Sequence, residues 1–191
     1  VNEGRSLDRG YFESLYAGNA DPWSFATSDY EAEKYRRSIG SLRSHYVRAL
    51  EIGCSIGVFT HLLAPLCDEL IAIDISERAL ESARARCADR PQVRFAHAIV
   101  PRDFPPGPFD LITCCEVGYY WSDDDLAAAR DRIAGALAPG GDLLLVHWLP
   151  KVADYVRDGD AVHAHFLGDE RFRRASAYRA ESYRLDVLTR R

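Results

Sequence analysis

Between Ala49 and Thr60 the chain reads ALEIGCSIGVFT, and two chemistries compete for it. Gly53-Cys54-Ser55-Ile56-Gly57 matches the G-x-S-x-G of a nucleophile elbow, where a strained strand-to-helix turn presents a serine hydroxyl to an ester. The same residues also make a glycine-rich loop whose backbone can cradle a cofactor at a helix N-terminus. An elbow serine needs an oxyanion loop from an earlier strand, and an acid and a histidine must follow it in the chain. Asp110 or Asp124 and His147 or His163 lie downstream. The loop, however, follows the first strand the sequence offers, so no earlier strand supplies an oxyanion hole. The hydrolase is the weaker reading.

The cofactor reading uses more residues. Glu51 ends the first strand, Gly53 and Gly57 permit a tight turn into a helix, and Asp74 ends the next strand 17 residues after Gly57. An acid at that place can accept from both hydroxyls of a ribose. A dinucleotide fold wants G-x-G-x-x-G so that a pyrophosphate can press on the helix dipole. Here Ser55 replaces the middle glycine and the third is missing, which favours a nucleoside without phosphates. Elsewhere, Glu116 stands beside Tyr119, Tyr120 and Trp121, and His147 lies in an apolar run. His163 and His165 are two apart and point away from each other on a helix, with no third ligand at zinc spacing, so no metal site is expected.

These groups need a scaffold. A chain of 191 residues, 47% apolar and 28% charged, can bury one substantial core, and a single domain with at most a small appendage is expected. A net charge of -5 gives no field for a phosphate backbone despite the local cluster of Arg171, Arg173, Arg174 and Arg179, so nucleic acid is not an expected partner. No apolar run reaches membrane-spanning length and the first twenty residues hold no signal-peptide core, which points to the cytoplasm. The five cysteines, Cys54, Cys67, Cys87, Cys114 and Cys115, show no C-x-x-C spacing and read as reduced core residues. Methionine is absent even at position 1, and the numbered sequence is expected to start inside or after the natural start.

Five apolar runs, VRALEIG at 47, ELIAIDI at 69, VRFAHAIV at 93, FDLITCCEV at 109 and GDLLLVHWL at 141, read as strands covered on both faces. Between them 58–66, 77–88 and 123–137 read as crossover helices, with Ser76 as an N-cap and LAPGG at 137–141 as a helix stop. The tail from Phe172 alternates as two antiparallel strands turning near Ala180 to Ser182. A doubly wound, mostly parallel α/β sheet of seven strands with an antiparallel C-terminal hairpin is predicted. Segments 6–18 and 28–44 read as helices outside the sheet, making 1–44 a lid and 45–191 the core.

In LEIGCSIGVFT, IAIDIS, VRFAHAIVPRDFP, FDLITCCEVGYYW and LAPGGDLLLV, the sequence resembles the class I S-adenosylmethionine-dependent methyltransferases, which have a Rossmann-like fold. DPWSFATSDYEAEKY and FDLITCCEVGYYW are similar to the nodulation protein S branch, whose members methylate the amine of a deacetylated chitin oligosaccharide. The resemblance implies that Glu51, Gly53, Cys54, Ser55 and Gly57 line the methionine part of S-adenosyl-L-methionine, that Asp74 accepts from its ribose, and that Ile75, Ala98, Ile99 and Cys115 border the cofactor. An acid is common in that family where Ile99 stands here, so the adenine is expected to rest on backbone and apolar contact, or on Asp103. Trp23, Tyr30 and Lys34 offer an aromatic wall and a cation for the cofactor carboxylate, or an ordinary amphipathic face.

Methyl transfer from a sulfonium needs alignment and exclusion of water more than an activated nucleophile. Glu116 is therefore placed at the acceptor as a binding carboxylate, with Tyr120 and His147 as further catalytic candidates and a core histidine as the bland reading of His147. The acceptor is expected to be a small molecule, an amino sugar or oligosaccharide amine, giving S-adenosyl-L-homocysteine as product. The alternatives are O-methylation of a hydroxylated metabolite and a non-catalytic module that binds S-adenosylmethionine.

Overall fold

A computed structural model describes residues 4–191, so the first three residues of the expected lid lie outside the described part. The chain divides into two compact units, one of Asp8–Ile99 and one of Val100–Arg191 with residues 4–7. The first contains α1 (Arg9–Gly18), α2 (Asp29–Gly40), β1 (Tyr46–Ile52), α3 (Val58–Leu63), β2 (Cys67–Asp74), α4 (Glu77–Arg86) and β3 (Val93–His97). The second contains β4 (Phe109–Cys115), α5 (Asp123–Ala136), β5 (Leu137–Trp148), α6 (Gly159–Leu167), β6 (Phe172–Arg179) and β7 (Tyr183–Arg190). The strands make the predicted seven-stranded, mostly parallel sheet, in the order β3-β2-β1-β4-β5-β7-β6.

In the first unit β1 and β2 run parallel with Leu50 opposite Ile71 and Ile52 opposite Ile73, and Leu50, Leu70, Ala72 and Ile73 are buried. The apolar runs thus end with Glu51 and Asp74 at strand C-termini. β3 alternates between half-buried and exposed residues, as an edge strand does, and stops at His97 rather than running to Val100. Helices α1 and α2 begin where a side chain caps them: Asp8 accepts from the Tyr11 N–H and Ser28 from the Glu31 N–H. α1 and α2 fall in the same compact unit as β1–β3. Ser76 caps α4 as expected, accepting from the Ala79 N–H.

The helix expected over 58–66 ends at Leu63 and tightens into a 3-10 turn, Ala64–Leu66, because Pro65 cannot continue an α-helix. In the second unit the LAPGG segment is not a loop after a helix. Leu137 already pairs with Phe109, and by the Leu111–Asp142 pair two steps along β4 answer five along β5, a bulge centred on Pro139, Gly140 and Gly141. β7 pairs antiparallel with both β5 and β6, which places the tail hairpin as predicted. α6, capped by Asp158, comes just before it. Among the described residues no helix is long and apolar enough to cross a membrane.

Candidate active site

The loop after β1 is shaped by backbone that only special residues adopt. Gly53 and Gly57 have φ of 75° and 77°, and Ser55 has φ of 49°, a left-handed conformation uncommon for a non-glycine residue. The N–H groups of Gly53 and Cys54 both donate to the Ile73 carbonyl, at 2.8 and 3.0 Å, which ties the loop to the end of β2. Asp74 completes the tie: Oδ2 accepts from the Ser55 N–H at 2.8 Å and Oδ1 from the Ser76 N–H at 2.9 Å. At Gly57 a Cβ would lie 2.9 Å from the backbone of Ala83, so a side chain there would push α4 off the loop.

Two acids end the strands beside this loop. Burial pushes the Asp74 carboxyl up to about 6, against the pull of its backbone N–H donors. Burial pushes Glu51 up to about 7, and its Oε2 is buried without a hydrogen-bond partner. An unsatisfied buried carboxylate oxygen costs on the order of 1–3 kcal/mol or more, and a cationic partner removes that cost. The pair therefore fits the amino group and ribose of S-adenosylmethionine, since each Asp74 oxygen that accepts one N–H can still accept a hydroxyl.

α1 brings residues that the sequence reading did not name. The hydroxyls of Tyr16 and Ser55 are 2.6 Å apart, and Glu13 accepts from the Glu77 N–H at 2.8 Å. Trp23 sits edge-on to Tyr16 at 5.8 Å and stacks on Phe25 at 5.5 Å. Tyr30 lies on the surface of α2. Lys34, expected to offer its ammonium to the cofactor, is buried with that ammonium 2.9 Å from Glu31 and 5.4 Å from the Tyr30 ring centroid. Its charge is matched within its own helix. The His97 Nε2–H donates to the Ile75 carbonyl at 2.9 Å, and the Ala98 N–H to the Asp74 carbonyl at 3.0 Å. Ile99 is half-buried, and Asp103, the alternative acid for the adenine, is paired with Arg102 at 2.8 Å.

In the second unit Glu116 follows β4 with φ of 58°, and its N–H donates to the Val146 carbonyl at 2.8 Å. Its Oε2 accepts from the Tyr119 hydroxyl at 2.6 Å and from the Trp148 N–H at 2.9 Å. Tyr119 stacks on Tyr155 with centroids 4.1 Å apart, and Tyr120 meets both rings edge-on. Tyr120 and Trp121 are almost wholly buried; Cys115 is half-buried at the end of β4. His147 is fully buried, accepting from the Gly118 N–H at Nε2, 3.1 Å away, with Nδ1 3.1 Å from His163 Nε2. Among the described residues no three His, Cys, Asp or Glu side chains gather as metal ligands.

The model of the family described as nodulation protein S (NodS) matches residues 14–155. The chain belongs to the nodulation protein S family. It is 34% identical over 127 residues to nodulation protein S of Bradyrhizobium diazoefficiens, an alignment covering 65% of this chain and 61% of the relative. The chain thus spans about three fifths of the length of that curated relative. The crystal structure of N-methyltransferase NodS from Bradyrhizobium japonicum in complex with S-adenosyl-L-homocysteine superposes with a TM-score of 0.85 at 25% identity, covering 96% of this chain and 99% of that one. A ubiquinone biosynthesis O-methyltransferase from Methylococcus capsulatus is 33% identical over 98 residues, 49% of this chain and 40% of the relative. Within the NodS family, the B. japonicum relative is an N-methyltransferase solved with S-adenosyl-L-homocysteine bound.

Proposed function

We propose that this NodS-family chain is a cytoplasmic N-methyltransferase that transfers a methyl group to the amine of a small acceptor, an amino sugar or oligosaccharide amine. Bound S-adenosylmethionine supplies an electrophilic methyl group on a sulfonium, and positive charge disperses as it leaves. The chain's own residues do the rest. Glu51 pairs the cofactor's amino group, Asp74 accepts from its ribose, and the loop from Gly53 to Gly57 fixes both. α1 and α2, with Trp23 and Tyr30, act as a lid that excludes water, which sharpens alignment in an in-line displacement.

The observation that carries the choice of an amine is Glu116. Its left-handed backbone and the two donors on Oε2 hold one carboxylate in one orientation beside the Tyr119–Tyr155 stack. Strained backbone at a non-glycine residue persists where surrounding structure over-determines it, often at functional sites. A fixed carboxylate beside aromatic faces suits an ammonium, which must then give up its proton before the nitrogen attacks. The N-methyltransferase activity in the name of the B. japonicum relative supports this reading.

O-methylation of a hydroxylated metabolite is the second reading, favoured by the likeness to the M. capsulatus O-methyltransferase. Titration with S-adenosylmethionine and S-adenosylhomocysteine, followed by turnover on chitin fragments with and without a deacetylated amine, tests both. Methylation only of fragments with a free amine is expected. Turnover of fully acetylated fragments or of simple hydroxylated acceptors at equal rates refutes the amine reading.

A further inference from the structure

His147 of β5 and Asp186 of β7 are polar residues flanked by apolar neighbours on at least one side, and α6 places His163 between them. All three side chains are fully buried. His147 Nδ1 is 3.1 Å from His163 Nε2, and His163 Nδ1 is 2.6 Å from Asp186 Oδ2. At the other end His147 Nε2 is 3.1 Å from the N–H of Gly118, the first residue of the 3-10 turn Gly118–Tyr120.

Donor accounting gives this chain one arrangement. The Gly118 N–H can only donate, so His147 Nε2 carries a lone pair and its proton is on Nδ1. That proton points at His163 Nε2, which must accept, so the His163 proton is on Nδ1 and is donated to the Asp186 carboxylate. The order Asp186, His163, His147, Gly118 is therefore directional. A further proton on either imidazole would place a second N–H against the first donor it meets and finally against the Gly118 N–H.

We propose that His163 and Asp186 are positioning residues: through His147 they hold the Gly118–Tyr120 turn, and with it the Tyr119 hydroxyl, against Glu116. The inference rests on the reading of Glu116 as the acceptor carboxylate. The turn has little other freedom to sit elsewhere, because a Cβ on Gly118 would lie 2.5 Å from Val162 Cγ1 and 3.1 Å from His147 Nε2. Tyr119 also meets the His147 ring edge-on at 5.4 Å.

Burial, with Arg184, outweighs the carboxylates around the relay and favours its neutral form. Burial holds His163 below the usual imidazole range, although Asp186 pulls the other way. Asp186 stays ionised despite its burial, with His163 and Arg184 as its donors and Arg174 3.7 Å from its other oxygen. On α6, Asp160 is occupied by Arg179 and Arg184. Glu116 and Tyr119 are the titratable groups on the turn side of His147.

Nitrogen-15 NMR of histidine-labelled protein tests the assignment without any acceptor. Both His147 and His163 are expected neutral with the proton on Nδ1, and the Gly118 and Trp148 amides are expected to exchange slowly. In His163→Phe their protection should fall by on the order of tenfold or more, while S-adenosylhomocysteine affinity stays at the wild-type value. With deacetylated chitobiose as the probe, the Michaelis constant should rise more than turnover falls. An Nε2–H tautomer on either ring, unchanged Gly118 protection, or a loss of cofactor affinity overturns the proposal. Should the variant not fold, the wild-type tautomers decide. If no amino sugar is methylated at all, the proposed function fails while the NMR result still stands or falls alone.

Discussion

The Tyr16 and Ser55 hydroxyls lie 2.6 Å apart, and this contact ties α1 to the Gly53–Gly57 loop. Ser55 is thereby held three ways: by left-handed backbone, by its N–H on Asp74, and by its hydroxyl on a phenol. Tyr16 is neutral, since burial raises its pKa well above the ordinary value. The hydroxyl at the centre of G-x-S-x-G thus has a phenol as its partner, not a histidine that could take its proton.

Removing either hydroxyl should therefore loosen the lid without abolishing chemistry. Tyr16→Phe is expected to weaken S-adenosylhomocysteine binding by about 1 kcal/mol and to reduce the hydrogen-exchange protection that the ligand confers on residues 15–40. Ser55→Ala should keep most turnover. A collapse of turnover in Ser55→Ala with intact cofactor binding would restore the nucleophile reading. No ligand-induced protection in 15–40, even in wild type, would make these helices a static cap.

Gly57→Ala is expected to destabilise the fold by about 2–4 kcal/mol, combining left-handed strain with overpacking. The added Cβ would meet the Ala83 backbone at 2.9 Å, and backbone cannot rotate away as a side chain can. Thermal unfolding of the variant checks this. An unchanged midpoint would mean that α4 shifts at no cost.

Much of this arrangement was legible as periodicity, and the exceptions share a cause. Apolar runs bounded by turn residues located the first five strands and alternation in the tail the last two, and Gly53, Gly57 and Asp74 stood out because each ends or turns an element. The bulge at Pro139–Gly141 was missed because Gly-Gly after a helix reads equally as a stop, and only pairing with β4 makes it strand. Tyr16 and Glu13 were missed because their partners are 39 and 64 residues away. Asp186 had a sequence signal, an acid between the apolar Leu185 and Val187, but its meaning needs the β5–β7 register that puts it opposite Leu145, and α6 to bring His163. At Lys34 the sequence showed Tyr30 at i-4 as a shared face, and the structure adds Glu31 at i-3 as an ion-pair partner.

Cofactor binding should make the protein's stability less sensitive to pH. The folded state holds the Glu51 proton to about 7 and the Asp74 proton to about 6, from ordinary values of 4.5 and 3.8. Raised pKa values mean that these groups favour folding below about pH 4, and that the contribution is lost as pH rises through 6 and 7. A bound amino group and ribose compensate the ionised forms. The rise in melting temperature caused by S-adenosylhomocysteine is therefore expected to grow between about pH 5.5 and about pH 8. A rise that stays flat or shrinks over that range would mean that these carboxylates do not contact the ligand.

The two acids at the strand ends should separate cleanly in mutant kinetics. Asp74→Ala removes the proposed acceptor for the ribose and is expected to cost about 1.5–3 kcal/mol of cofactor affinity, since a charged acceptor is lost from a buried place. Glu116→Gln keeps the shape and removes the charge. An amine arrives as ammonium at neutral pH, is drawn to the carboxylate, and has to shed its proton before its lone pair can attack. The substitution should thus raise the Michaelis constant for deacetylated chitobiose and lower turnover, with cofactor affinity nearly unchanged. Gln can still accept from the Tyr119 hydroxyl and the Trp148 N–H through its amide oxygen, so the turn should stay in place and the effect should report charge. In the wild type the rate should climb with pH as the acceptor loses its proton, and acetylation of the acceptor should abolish reaction. Calorimetry with S-adenosylhomocysteine and initial rates with the acceptor, measured on the same preparations, distinguish the outcomes: a Glu116→Gln variant that weakens the cofactor alone moves Glu116 to the cofactor side and leaves O-methylation as the better reading.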